Sequence, residues 1–184
     1  MTNFSGIGTI FTSEITNLAN VAKYLGPMDL IKILERYINH VTSIVEKHRG
    51  SILQFEGDAI LAFWHPEYTN PSHAQLAFNA SCEIISKLPR LIKSQKHLIY
   101  DIDIVLGTGE MSGDFFGPAK VFQVVGKAMS IVDRLNKIPY RKGSIIRMTQ
   151  YTLDMLDKKN EMSKLGIIKR DSLDDLIVYG YGGC

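Results

Sequence analysis

Two acidic residues stand where a chain could work on a phosphate. Glu14 ends a β-rich run, Gly8 to Glu14, just before apolar residues at helical spacing. Asp58 lies in Glu56-Gly57-Asp58, between two strand-like runs, and Gly and Asp suit a tight hairpin there. If the two strands are neighbours, the carboxylates face one another. One or two carboxylates, with water and phosphate oxygens completing the shell, is the donor set Mg²⁺ takes when it also binds phosphate. The amides after Glu14, at Ile15, Thr16, Asn17 and Leu18, could cradle a phosphate at a helix start. The same pair also suits a plain role, with Glu14 capping a helix and Asp58 making a turn.

The elements that must position these groups are legible in outline. Ile15, Leu18, Ala19, Ala22 and Leu25 predict a helix over 15–25. Gly26-Pro27 breaks it, and a long amphipathic helix follows to about His48, with Pro27 and Asp29 in its first turn. Strands are expected on both sides of Asp58, from Ser51 and to Trp64. Ser72 with Gln75 is a capping-box pattern, opening a helix toward Leu88 that Pro89 ends or kinks. Asp101 to Leu106 reads as a strand, and Gly107, Gly109, Gly113 and Gly117 then predict a turn-rich stretch. Val121 to Val125 reads as a strand and Gly126 to Lys137 as a helix. A strand near Ser144 to Met148, a helix through Tyr151 to Leu156 and a hairpin near Leu165 to Tyr179 complete the chain. The order predicts an α+β domain, a mixed sheet with helices on one face.

Composition bounds the function. The chain has 184 residues, enough for one domain, and no linker-like segment or internal repeat divides 1–184. Its 45% apolar and 22% charged residues exclude a disordered or collagen-like chain. A net charge of +2 argues against a nucleic-acid binder that relies on phosphate contacts. The longest apolar run, Ala59 to Trp64, is too short to span a bilayer, and no signal-peptide pattern opens the sequence. Cys82 and Cys184 have no metal-site spacing and form no disulfide framework, so a reducing, cytoplasmic setting is expected. His40, His48, His65, His73 and His97 do not cluster in sequence.

The segments Ile10 to Leu18, Tyr24-Leu-Gly-Pro, Leu34-Glu-Arg-Tyr37 and Gly50 to Phe63 occur in an order that resembles the class III nucleotidyl cyclases, the adenylyl and guanylyl cyclase catalytic domains. Gly107-Thr-Gly-Glu110 looks like the glycine turn of that family, and Phe122 to Leu135 like its dimer-arm and helix motif. The hairpin Phe55-Glu-Gly-Asp-Ala-Ile-Leu-Ala-Phe63 is the most specific piece, and is nearest the soluble adenylyl cyclase branch. The resemblance implies a ferredoxin-like α/β sandwich with a mixed, mostly antiparallel sheet. It implies a dimer with active sites at the interface of two cyclase domains, as a homodimer or with an unlike partner domain. It implies conversion of a nucleoside triphosphate to a 3′,5′-cyclic nucleotide and pyrophosphate with two Mg²⁺ or Mn²⁺ ions.

Residue by residue, the resemblance assigns Glu14 and Asp58 to the metals, with Glu14 where the family has aspartate. Asn17 stands where a glycine is usual at the phosphate cradle. Gln54 and Gln123 fall at the two base-selecting positions, where lysine and aspartate, threonine or cysteine are usual. Either glutamine can donate to and accept from a base edge. Ser130 replaces the ribose-orienting asparagine, and Arg134 falls on the transition-state arginine. Phe115, Phe116 and Phe122 suit the dimer arm or a plain core. These departures leave two expectations, an active cyclase and a degenerate one that binds nucleotide or pairs with an active partner. A protein-interaction module on the same sandwich is a third.

Overall fold

A computed structural model describes residues 2–16, 18–92, 101–138, 143–157, 162–169 and 176–182, with backbone only at 21 and 89–92. Among the described residues eight strands form one sheet: β1 (Phe4–Ile15), β2 (Ser51–Glu56), β3 (Ala59–Trp64), β4 (Ile102–Phe116), β5 (Val121–Gly126), β6 (Ile145–Thr149), β7 (Ser163–Ile168) and β8 (Leu176–Tyr181). The helices are α1 (Leu18–Ala22), α2 (Pro27–Lys47), α3 (His73–Ile92), α4 (Lys127–Asn136) and α5 (Gln150–Asp154). The strand order is β2-β3-β1-β4-β6-β8-β7, with β5 pairing β4. Every pair is antiparallel except β4 with β6. This is the expected mixed, mostly antiparallel α+β sheet.

Alternation along the strands divides the core in two. Phe11, Ile60, Trp64, Ile104, Leu106 and Met148 face α2 and α3, whose Ile33, Tyr37, Val41, Ala77 and Ile84 close over them. Ile10, Phe63, Val105 and Val124 face the other way, against Ala128, Ile131, Val132 and Leu135 of α4. Helices therefore cover both faces, not one as the order of elements predicts. The cause is that the inward-facing residues of β1, β3 and β4 are apolar on both sides, so each side needs a cover.

Three further expectations are corrected. The helix predicted from Ile15 begins at Leu18, because Ile15 is still paired with Ile102 in β1 and is buried. Pro89 does not end α3, which continues to Ile92; buried Ile84 and Leu88 anchor the turns before it. Gly117 stands in a turn as expected, but Gly107, Gly109 and Gly113 lie in the single strand β4, of 15 residues. Their reason is close packing. A Cβ on Gly107 would lie 2.6 Å from Val132 Cγ2 and 2.9 Å from the Ala128 carbonyl, so glycine lets α4 rest on the strand.

The first helical turn of α3 keeps half of its capping box. The Gln75 amide donates to Ser72 Oγ at 3.1 Å, while the Gln75 side chain accepts from the Asp157 amide at 2.8 Å. The distal β4–β5 hairpin leaves Phe115 and Phe116 exposed, and β5 passes into α4 with no residue between Gly126 and Lys127. Among the described residues no helix is long and apolar enough to cross a membrane. Cys184, His97 and Asn17 lie outside the described residues.

Candidate active site

A cleft of about 410 Å³ opens on the α4 side of the sheet. Its walls come from the ends of β1 and β2, from β3, from β5 and from one stripe of α4: Met129, Val132, Asp133 and Asn136. Glu14, Gln54 and Gln123, far apart in sequence, all line it. Gln54 arrives there by a register shift between Ile52 and Gln54. Ile52 packs toward the α2/α3 core, so strict alternation would send Gln54 the same way. The bulge instead places Leu53 and Gln54 together on the cleft wall.

Asp58 stands in the β2–β3 turn between Glu56 and Ala59, which both line the cleft. Its Oδ2 accepts a hydrogen bond from the Ile15 amide at 2.8 Å. The hairpin turn is thereby tied to the end of β1, one residue from Glu14. Partial burial and the facing charges of Asp103 and Asp58 raise the Glu14 pKa above the ordinary glutamate value, against a weaker opposite pull from Arg147. Behind Glu14, the Ser13 hydroxyl and the Tyr37 hydroxyl of α2 are hydrogen-bonded at 2.6 Å, fixing the strand from its far side.

The segment 15–18 has fewer free donors than its sequence suggests. The Ile15 amide is used by Asp58, and the Thr16 amide and hydroxyl both donate to the Asp101 carbonyl at 3.0 Å. Leu18 opens the short α1. Ser130 and Arg134, one turn apart on α4, do not line the cleft; they occupy the stripe beside it. Ser130 is exposed and Arg134 half-buried. Arg134 Nη2 is buried with no hydrogen-bond partner among the described residues.

The sequence reading missed Glu56, Asp133 and Asn136, which also line the cleft. Asn136 accepts from Thr12 Oγ1 at 3.3 Å. Asp133 and Asn136 had a signal, since they follow Met129 and Val132 at helical spacing. The electrostatic consequence is plain. Among the described residues Glu14, Glu56 and Asp133 line the cleft, and no Lys or Arg does. Among the described residues no group of three or more His, Cys, Asp or Glu is placed to hold a metal. The Glu14–Asp58 pair offers hard oxygen donors alone, which suits a cation completed by water and phosphate rather than a closed protein cage. A cation there would also offset the burial and the repulsion that hold Glu14 toward its protonated form.

Comparison with known proteins fits this architecture. The adenylyl cyclase CyaB from P. aeruginosa superposes with a TM-score of 0.81 at 19% identity, covering 98% of this chain and 95% of that one. The guanylate cyclase domain of RhGC from Catenaria anguillulae, solved in complex with GTP, gives 0.78 at 20% identity, covering 98% and 97%. Adenylate cyclase 1 of Rhizobium meliloti is 23% identical over 88 residues, which are 48% of this chain and 13% of that protein's length. At these identities the structures establish the shared fold. Residues 1–179 match the adenylate and guanylate cyclase catalytic domain family, and the chain belongs to that family.

Proposed function

We propose that this chain, as one cyclase domain over 1–184, converts a nucleoside triphosphate to a 3′,5′-cyclic nucleotide and pyrophosphate at an interface with a second cyclase domain in the cytoplasm. The observation that carries the reading is the split of the site. Glu14, Gln54 and Gln123 line one acidic cleft, while Ser130 and Arg134 lie on the neighbouring stripe of α4. A triphosphate cannot sit in a cleft lined, among the described residues, by three acids and no base without cations from elsewhere. Bound Mg²⁺ or Mn²⁺, two ions by family resemblance, supplies neutralisation of the triphosphate and activation of the ribose 3′-hydroxyl. Glu14 and Asp58 are the residues that hold it.

The reaction forms a bond from the 3′-oxygen to the α-phosphorus and breaks the bond from that phosphorus to pyrophosphate; the hydroxyl loses its proton. Gln54 and Gln123 meet the base edge. Their amides donate and accept without favouring one base, so discrimination among bases is weak. Ser130 contacts the ribose. Arg134, with its free guanidinium nitrogen, stabilises charge growing on the phosphate in the partner's half-site. Segment 15–18 shapes the phosphate end. Ile15 and Thr16 act through their anchors to Asp58 and Asp101, and the family resemblance assigns Asn17 and Leu18 to the same phosphate cradle.

The test is incubation of the purified dimer with ATP, GTP, CTP and UTP and Mg²⁺ or Mn²⁺. A cyclic product from at least one, lost in Asp58→Asn, is expected; no product from any of the four overturns the reading. The acidic cleft also favours a second reading, a degenerate half-site that needs an unlike partner domain to supply the cations. Activity found only on mixing with such a domain supports it, and robust activity of the homodimer removes it.

A further inference from the structure

Arg147 lies in β6, 3% exposed, and stands outside the proposed chemistry. One edge of its guanidinium grips Asp103 of β4: Nε donates to Oδ1 at 2.9 Å and Nη2 to Oδ2. The other edge reaches out of the sheet, where Nη1 donates to the Leu135 carbonyl in the last turn of α4. That carbonyl also accepts from the Lys137 and Ile138 amides, so it marks where the helix ends. Cations are favoured at such an end.

The positions of the two grips matter. Glu14 and Asp103 are directly opposed in the antiparallel β1–β4 register, so both side chains project toward α4. Two like charges directly opposed on adjacent strands repel. Arg147 neutralises the buried one and leaves the exposed one, Glu14, free for the cleft. Leu135 is the residue next to Arg134. A single planar group thus spans from the strand beside Glu14 to the peptide beside Arg134. Lysine could make neither the fork nor the second reach at once.

We propose that Arg147 is a positioning residue that holds the last turn of α4, and with it Arg134, at a fixed placement relative to Glu14. This rests on the cyclase reading for its effect on rate, but not for the geometry it asserts. Arg147→Lys and the paired apolar variant Asp103→Leu/Arg147→Met separate the two. In both, amide hydrogen exchange over 133–138 quickens by about tenfold while the rest of the sheet holds its protection. In both, kcat falls by about tenfold or more with KM for the nucleotide unchanged, because Arg134 acts on transition-state charge. The paired variant melts near the wild-type temperature, since no buried charge is left alone. Should Arg147→Lys fail to fold, the paired variant decides. Wild-type exchange over 133–138 in the paired variant overturns the proposal, and so does quickened exchange with unchanged kcat. An inactive wild-type chain defeats the cyclase reading instead, and the exchange measurement still decides whether Arg147 holds the helix.

Discussion

The α2/α3 face of the sheet and the α4 face are built from alternate residues of the same strands, yet they serve opposite ends. Under α2 and α3, Phe11, Trp64, Ile104 and Tyr37 are fully buried, and the few polar groups are paired inside, as where His73 Nδ1 meets Thr9 Oγ1 at 2.8 Å. Under α4 the cover is a helix of ten residues that leaves part of the sheet open, and the opening is lined by Glu14, Glu56 and Asp133. One face stores stability; the other gives some up to expose charge. Mutations should therefore sort by face.

The largest stability effect is expected at Trp64, which packs edge-on against Phe11 at 5.9 Å and donates Nε1 to the His48 carbonyl at 2.7 Å. Trp64→Ala costs about 3–5 kcal/mol, measured by denaturant unfolding, and spares the specific activity of the folded fraction. On the cleft face the sign reverses. Asp58→Asn lowers cyclisation at least about a hundredfold, while Glu14→Gln also loses activity but melts at or above the wild-type temperature at neutral pH, because a repelled charge has gone.

The faces also respond oppositely to pH. Burial lowers the His73 pKa below its ordinary 6.5, so the unfolded chain takes up a proton that the folded one refuses. Stability is lost as pH falls below that value, and His73→Gln flattens the fall in melting temperature between about pH 7 and 5. For Glu14 the folded pKa lies above the unfolded one. Its contribution is full below the ordinary glutamate value of 4.5 and is lost as pH rises through the folded value. Glu14→Gln removes that opposite slope. The smallest effect belongs to the surface cluster on Glu83, where Lys47 lies at 2.7 Å, His48 at 2.8 Å and Lys87 beside them. Lys87→Met shifts unfolding by no more than about 0.5 kcal/mol, since two partners remain.

The faces also differ in how far the sequence foretells them. Periodicity in Ile33, Tyr37, Val41, Ile44 and Val45 announces α2 and its buried stripe. Gly57 and Asp58 announce the β2–β3 turn. The α4 face is harder. Gly107 and Gly109 read as loop residues because nothing local says that a helix rests on them. The bulge beside Leu53, which turns Gln54 into the cleft, leaves no mark in the alternation of Ser51 to Glu56. Asp103 and Arg147 look like ordinary strand charges until the parallel β4–β6 pairing, which sets Arg147 beside Val105, brings its guanidinium within reach of Asp103. Carboxylates at chain turns are local signals. Groups meeting across strands and helices are tertiary ones.

The junction at Gly126 has a mechanical consequence. With no loop between β5 and α4, the exposed Phe115–Phe116 hairpin and the helix bearing Arg134 are two arms of one crank. A loop would absorb strain; a direct junction would pass it on. A load on the aromatic tip would reach the helix directly, and the Arg147 grip on Leu135 would resist it at the far end.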